Sequence, residues 1–388
     1  MGAASSLLAQ DKSAPQTPAD TNAVPSTSQS NAVTGSDVYK TMSLNQLMDQ
    51  DVTSVSRQPE PYGQAPAAID VITSDAIQRS GASSIPEALR LADNLDVAQK
   101  NSHDWAISAR GFNTSLANKL LVSIDGRTVY TPLFAGVFWN EQDYLMEDID
   151  RIEVISGPGG TLWGANAMNG VINIVTKSAK DTQGLYVEGG GGSWLEDFGA
   201  VRYGGVLASN VYYRVYGKYF DRGDEILTNG NNASDSWFQG QGGFRIDADL
   251  PSPNTITLQG DYYNGHENVD TGGAANDYGA NMLGRWTHTF SDDSDASLQA
   301  YYSRTHLTDP IAAGTDPFVP GLSTLIDDLD TYDVDFQHRF HLGQRNNIIW
   351  GLGYRFTHEV DHNASNLEFL PPTVDQNLYS FFVQDEIK

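Results

Sequence analysis

The sequence predicts a small mixed α/β unit followed by an antiparallel β-barrel that crosses a membrane, and three observations carry that prediction. From about Gly184 onward helical signals stop, and β-rich segments of roughly ten to fourteen residues alternate with Asp, Asn, Gly and Pro turns. Each segment has one apolar, aromatic-rich side and one polar side. The turns alternate between short, as at Ser291 to Asp295, and long, as at Asp309 to Asp327, which suits the two rims of a membrane barrel.

The elements follow in chain order. Met1 to Gln10 lacks a basic start and an adequate apolar segment, so it does not read as a complete signal peptide. Residues 1–42 are expected to be a disordered leader, because the Ala, Ser, Thr, Pro, Gln and Asn stretch from Ala14 to Gly35 offers too little apolar surface to offset backbone ordering. Residues 43–180 are expected to fold as the first unit, and 181–388 as the barrel part. Within the first unit, Ala68 to Thr73 reads as a strand, and the segment from Ser74 ends at Gly81, which can take the left-handed cap conformation. Ser84 and Glu87 with Pro86 between them form a capping box opening a helix that carries Ala88, Leu89 and Leu91. Leu120 to Ile124, the turn pair Asp125-Gly126, and Thr128 to Tyr130 make a hairpin. Arg151 to Ile155 and Val171 to Thr176 are strands on either side of the turn Gly157-Pro158-Gly159-Gly160.

In the second part, Val211, Tyr213, Val215 and Tyr219 fall opposite Tyr212, Arg214, Tyr216 and Lys218. Ile256, Leu258 and Tyr262 oppose Thr257, Gln259 and Asp261, and Ile348, Trp350, Leu352, Tyr354 and Phe356 oppose Gly351, Gly353, Arg355 and Thr357. A soluble sandwich alternates too, but Tyr and Trp near segment ends suit an interfacial girdle. No apolar run approaches the ~18 residues a spanning helix needs.

The 388 residues carry 49 acidic and 23 basic side chains, a formal charge of −26, and no cysteine. That balance repels nucleic acid and excludes thiolate metal sites and disulfides. The surplus of carboxylates is attributed to a solvated surface. No Gly-x-Ser-x-Gly elbow or other catalytic pairing argues for an enzyme, so no catalytic residue or cofactor is expected. His358 and His362 share a strand face near Glu359 and Asp361, which reads as a solvated rim pair rather than a metal site.

Three motifs in series then carry a resemblance. Ala109-Arg110-Gly111-Phe112, the hairpin Leu121 to Arg127, and the run Arg151-Ile152-Glu153-Val154-Ile155-Ser156-Gly157-Pro158 with Leu162-Trp163-Gly164-Ala165-Asn166-Ala167 and Gly170 to Lys177 resemble the plug of TonB-dependent receptors across nearly all of residues 50–177. The resemblance implies an outer-membrane receptor that actively imports a scarce nutrient, a ferric siderophore first and cobalamin second, against the alternative of a passive pore or adhesin barrel. It implies the inner-membrane TonB complex as partner, together with outer-membrane lipid and no nucleic acid. The matching TonB-box segment is Asp51, Val52, Thr53, Ser54, Val55, Ser56 and Arg57, which TonB would add as a strand to its own sheet edge. Arg110, Arg151 and Glu153 are expected to bridge plug and barrel wall. Two loops are expected to face the ligand, one with Lys100, Asn101, His103 and Trp105, the other with Phe134, Phe138 and Trp139.

The strand count gives a further expectation. About ten strands at ~4.8 Å spacing and ~42° tilt would close into a barrel only about 20 Å across, too narrow for a plug about 36 Å in diameter. A 22-stranded barrel of about 45 Å would hold it, so the sequence is expected to be a truncated receptor.

Overall fold

The computed structural model describes residues 51–53, 60–64, 67–115, 119–250, 253–269, 272–311 and 323–387. The expected leader and Ser54, Val55, Ser56 and Arg57 lie outside the described residues.

The first unit is built on a five-stranded sheet in the order β3-β8-β9-β6-β7, formed by β3 (Ala68–Thr73), β6 (Leu120–Ile124), β7 (Arg127–Thr128), β8 (Ile149–Ser156) and β9 (Gly170–Thr176). β6 and β9 run parallel and the other pairs antiparallel. Their β-branched runs are buried on both faces, which is why they read as continuous apolar stretches. Ile77, Ile85, Leu89, Ile124, Ile152 and Ile174 close the core, each contributing about 1.5–3 kcal/mol of burial. A second pair, β4 (Leu95–Gln99) with β5 (Trp105–Ala109), and a two-residue pair, β1 (Asp51–Val52) with β2 (Glu60–Pro61), complete the unit.

Helix α1 (Ser74–Ser80) starts where the Thr73 hydroxyl accepts from the Ala76 N–H at 3.2 Å, and stops at Gly81 with φ 72°. Helix α2 (Ile85–Leu89) corrects the expected capping box. The Ser84 side chain makes no cap bond, and the Glu87 carboxylate instead accepts from the Ser83 N–H at 2.7 Å and hydroxyl at 3.0 Å. Arg222 of the second part donates to the Ser83 hydroxyl at 3.1 Å, so this helix start is shaped by a long-range contact. The Asp125-Gly126 turn has φ 51° and 84°, the two positive values of a type I′ hairpin.

The second part is one sheet of ten strands in sequence order, each antiparallel to the next: β10 (Gly184–Gly190), β11 (Leu195–Ala208), β12 (Val211–Arg222), β13 (Trp237–Asp249), β14 (Asn254–Asn268), β15 (Ala274–Ser291), β16 (Ser294–Ile311), β17 (Ser323–Leu342), β18 (Asn346–His362) and β19 (Thr373–Ile387). The pairs β11–β12, β13–β14, β15–β16 and β17–β18 meet at one end of the sheet, the short-turn rim, and the other successive pairs meet at the opposite, long-loop rim. Strands outrun the expected lengths; inside the presumed long turn, Ile311 already pairs with Ser323. Asp residues just beyond that turn, Asp328 and Asp330, are strand residues bonded to Arg304 at 2.8 and 3.0 Å, so cross-strand pairing overrides their turn propensity.

The predicted faces hold. Val215, Tyr219, Ile256, Tyr262, Leu352 and Tyr354 point outward and are exposed, whereas Arg214, Lys218 and Gln259 are buried against the first unit.

Candidate functional site

The functional geometry lies where the first unit meets the inner face of the ten-stranded wall. Nearest the short-turn rim, Asp148 pairs with Arg202 and, at 3.5 Å, with Arg214, whose guanidinium also donates to the Lys177 carbonyl at 2.6 Å. Asp143 pairs with Lys218 at 2.6 Å. Each of these carboxylates sits on the first unit and each cation on the wall.

The Asp-Gly hairpin is the centre of a second set. Asp125 accepts from the Thr176 N–H at 2.9 Å, the Thr176 hydroxyl at 2.7 Å and the Gln259 amide at 2.9 Å, with the Arg245 guanidinium at 3.8 Å. Burial pushes its pKa up, but Arg245 and these three donors outweigh burial and hold it below the usual carboxylate range. Arg285 donates to the Asp125 carbonyl at 2.5 Å, and Arg355 to the Thr128 hydroxyl at 3.0 Å. Gly126 is needed twice over: its φ is left-handed, and a Cβ there would come within 2.8 Å of the Gln299 amide. Beside this set, Tyr144 and Tyr216 both donate to Asp261, at 2.8 and 2.6 Å.

Toward the long-loop rim, the Ser102 N–H donates to Asp235 at 2.8 Å, and the Trp237 indole donates to the Ser102 carbonyl at 2.8 Å. His103 lies 3.2 Å from the Glu267 carboxylate, which also accepts from Asn140 at 2.6 Å. Glu141 is buried next to this group; burial and then the neighbouring Asp277 raise its pKa well above the ordinary value.

At the start of the described chain, Val52 is fully buried, and the Thr53 N–H donates to both Glu153 oxygens at 3.2 Å. Arg151 holds Glu153 from the side at 2.7 Å and Asp150 at 2.6 Å.

Residues 62–171 match the model of the TonB-dependent receptor plug domain. Residues 62–171 thus form a plug domain of the kind found in TonB-dependent receptors, and the chain carries a ten-stranded antiparallel sheet after it. A vitamin B12 transporter, BtuB, of Vibrio vulnificus is 32% identical over 150 residues, which are 38% of this chain and 24% of that protein. The pyoverdine receptor FpvA of Pseudomonas aeruginosa superposes with a TM-score of 0.70 at 17% identity, over 86% of this chain and 56% of that one. The ferric enterobactin receptor PfeA of the same organism gives 0.65 at 17% identity, over 84% and 55%. At these identities the solved structures speak for the fold alone. The chain spans about a quarter of the length of the curated relatives it matches and about half of these solved chains.

Several expected site residues stand elsewhere than anticipated. Arg151 and Glu153 sit two apart on one face of β8; Arg151 bonds Glu153, and Glu153 accepts from the Thr53 segment. Arg110 is exposed, with its guanidinium beside Gly157 of the plug. Among the described residues, Asp125, Asp143 and Asp148 of the plug pair with wall cations. Trp105 and Trp139 are buried in the plug core, because their apolar area outweighs a loop position, and are not exposed to ligand. Lys100 is exposed and paired with Asp104 at 3.0 Å; Asn101 accepts from the Asp104 N–H at 2.6 Å and shapes the loop. Phe134 and Phe138 are half-buried and stacked with centroids 4.1 Å apart. His358 bonds Asp375 at 2.6 Å. Sequence reading missed the wall cations as partners of the plug, although the polar side of β12 had already set Arg214 and Lys218 apart.

Proposed function

We propose that this chain is the plug and part of the barrel of a receptor that imports a metal chelate, a ferric siderophore, with energy supplied by TonB acting on residues 51–57. The observation that carries this reading is the docking of the segment's first three residues. Asp51 and Val52 pair as a strand with Glu60 and Pro61, and Thr53 is held by Glu153, so the start of a segment suited to strand addition is held against the plug. The stacked pair Phe134 and Phe138 supplies an apolar platform for a large ligand.

The test is uptake of an iron-labelled siderophore by cells carrying the receptor, with and without TonB, and with Val52→Pro, which removes a backbone donor and disfavours strand addition. Uptake is expected to need TonB and to be lost in the variant; uptake that ignores both overturns the proposal. Cobalamin is the second reading, favoured by the identity of this plug to vitamin B12 transporters. Competition by cobalamin, but not by ferric siderophores, would decide for it.

A further inference from the structure

The charge pattern between plug and wall reverses along the barrel axis. Near the short-turn rim and in the middle, plug carboxylates meet wall cations. At the long-loop end, Glu141 of the plug faces Asp277, Glu267 and Asp327 of the wall, with the Tyr263 hydroxyl beside it. Among the described residues both oxygens of Asp277 lack a hydrogen-bond donor, and Glu141 has only the Tyr263 hydroxyl beside it, although Glu141 is 3% and Asp277 1% exposed. Asp327, Glu359 and Asp361 each leave one oxygen buried and unpaired. On the same inner side, Asp309 faces Asp104, His103 and Lys100. His103 is already taken up with Glu267 and Lys100 with Asp104, while His266 and His362 stand on the outward positions of their strands.

Buried carboxylates without donors do not stay ionised and alone; each keeps a proton or meets a cation. Among the described residues no three such side chains converge to hold a bare metal ion. The natural counter-charge is therefore a proton or an organic cation that brings several N–H donors.

We propose that Glu141 and Asp277, beside the already paired Glu267, form a subsite for an ammonium or guanidinium group on the imported chelate. The inference rests on the import reading above and narrows its substrate class to chelates bearing positive charge. The exchange balances: a carboxyl O–H breaks, its proton passes to solvent, and the carboxylate pairs with the arriving cation. No other bond changes.

The experiment uses the receptor in detergent and a matched pair of probes: a ferric trihydroxamate with a free terminal amine, and the same chelate N-acetylated. Calorimetry in two buffers of different ionisation enthalpy counts released protons. The amine form should bind about tenfold or more tightly than the acetylated form, release close to one proton, and gain affinity as pH rises. Asp277→Asn and Glu141→Gln should shrink the affinity difference between the two forms and abolish the proton release. Equal affinity without proton release overturns the proposal, and so does failure of both forms to bind; neither result needs a variant to fold. If ferric siderophores as a class and cobalamin also fail to bind, the import reading falls with it, whereas binding of an anionic siderophore leaves that reading standing and removes only the subsite.

Discussion

Replacing Asp125 by Asn tests whether the Asp-Gly hairpin anchors the plug to the wall. Asn tolerates the positive φ of 51° at this position, so the turn survives and the change is confined to charge. The native carboxylate receives three hydrogen bonds and lies 3.8 Å from Arg245. Asn can still accept from the Thr176 N–H through its oxygen, but its amide nitrogen accepts from neither the Thr176 hydroxyl nor Gln259. Arg245 keeps Asp247 at 2.8 Å, so no guanidinium is orphaned. Loss of charge assistance in two buried bonds puts the cost at about 2–4 kcal/mol, and Asp125→Ala, which adds backbone strain, at about 3–5 kcal/mol. The chain has no cysteine, so Ser123→Cys in buried β6 gives a clean reporter whose labelling in rising urea follows plug opening. The two Asp125 variants should label at lower urea, Ala more so than Asn. The sign of the pH effect follows from the lowered pKa of Asp125: its stabilisation is fully present above the ordinary carboxylate value and is lost as pH falls through the folded value. The Asn variant should lack that share of acid sensitivity. Labelling of Asp125→Asn that matches the parent across urea and pH would refute the anchor.

Glu141→Gln should have the opposite pH signature. Because the folded pKa is raised, wild-type docking weakens as pH rises above the ordinary Glu value toward the folded one, and the variant should gain on it progressively in the same labelling assay. Trp139→Ala should destabilise the plug by about 3–5 kcal/mol, since this ring is core, and should show as earlier urea opening even without ligand. Arg151→Ala should loosen Glu153 and thereby the Thr53 segment; an isolated TonB C-terminal domain should then bind the ligand-free receptor more tightly, and unchanged binding would count against Glu153 restraining that segment.

What the sequence made legible was local. Asp125-Gly126 announces its turn because few residue pairs take two positive φ values, and the alternation in β12, β14 and β18 announces a two-faced wall because a strand repeats every second residue. Gly81 as a helix stop is read the same way. The capping misreading has a long-range side: Glu87 serves Ser83 rather than Ser84 at a helix start that Arg222, far along the chain, also touches.

The acidity is the most instructive instance. A formal charge of −26 invites the reading of a solvated surface, yet Asp125, Asp143, Asp148, Glu141, Asp277 and Asp327 are all buried between plug and wall. The first three have wall cations within 4 Å and explain how a plug is held. The last three have no such ion pair among the described residues, and all three lie toward the long-loop rim. Net charge cannot separate these two populations, because it carries no information on which carboxylates share a depth in the barrel. Register does: Asp277 stands opposite Gly265 on β14, a position with no side chain to donate to it, whereas Arg245 stands opposite Gln259, and the two reach Asp125 together. The same alternation that makes the wall therefore sorts its charges into those that hold the plug and those left for something else to neutralise.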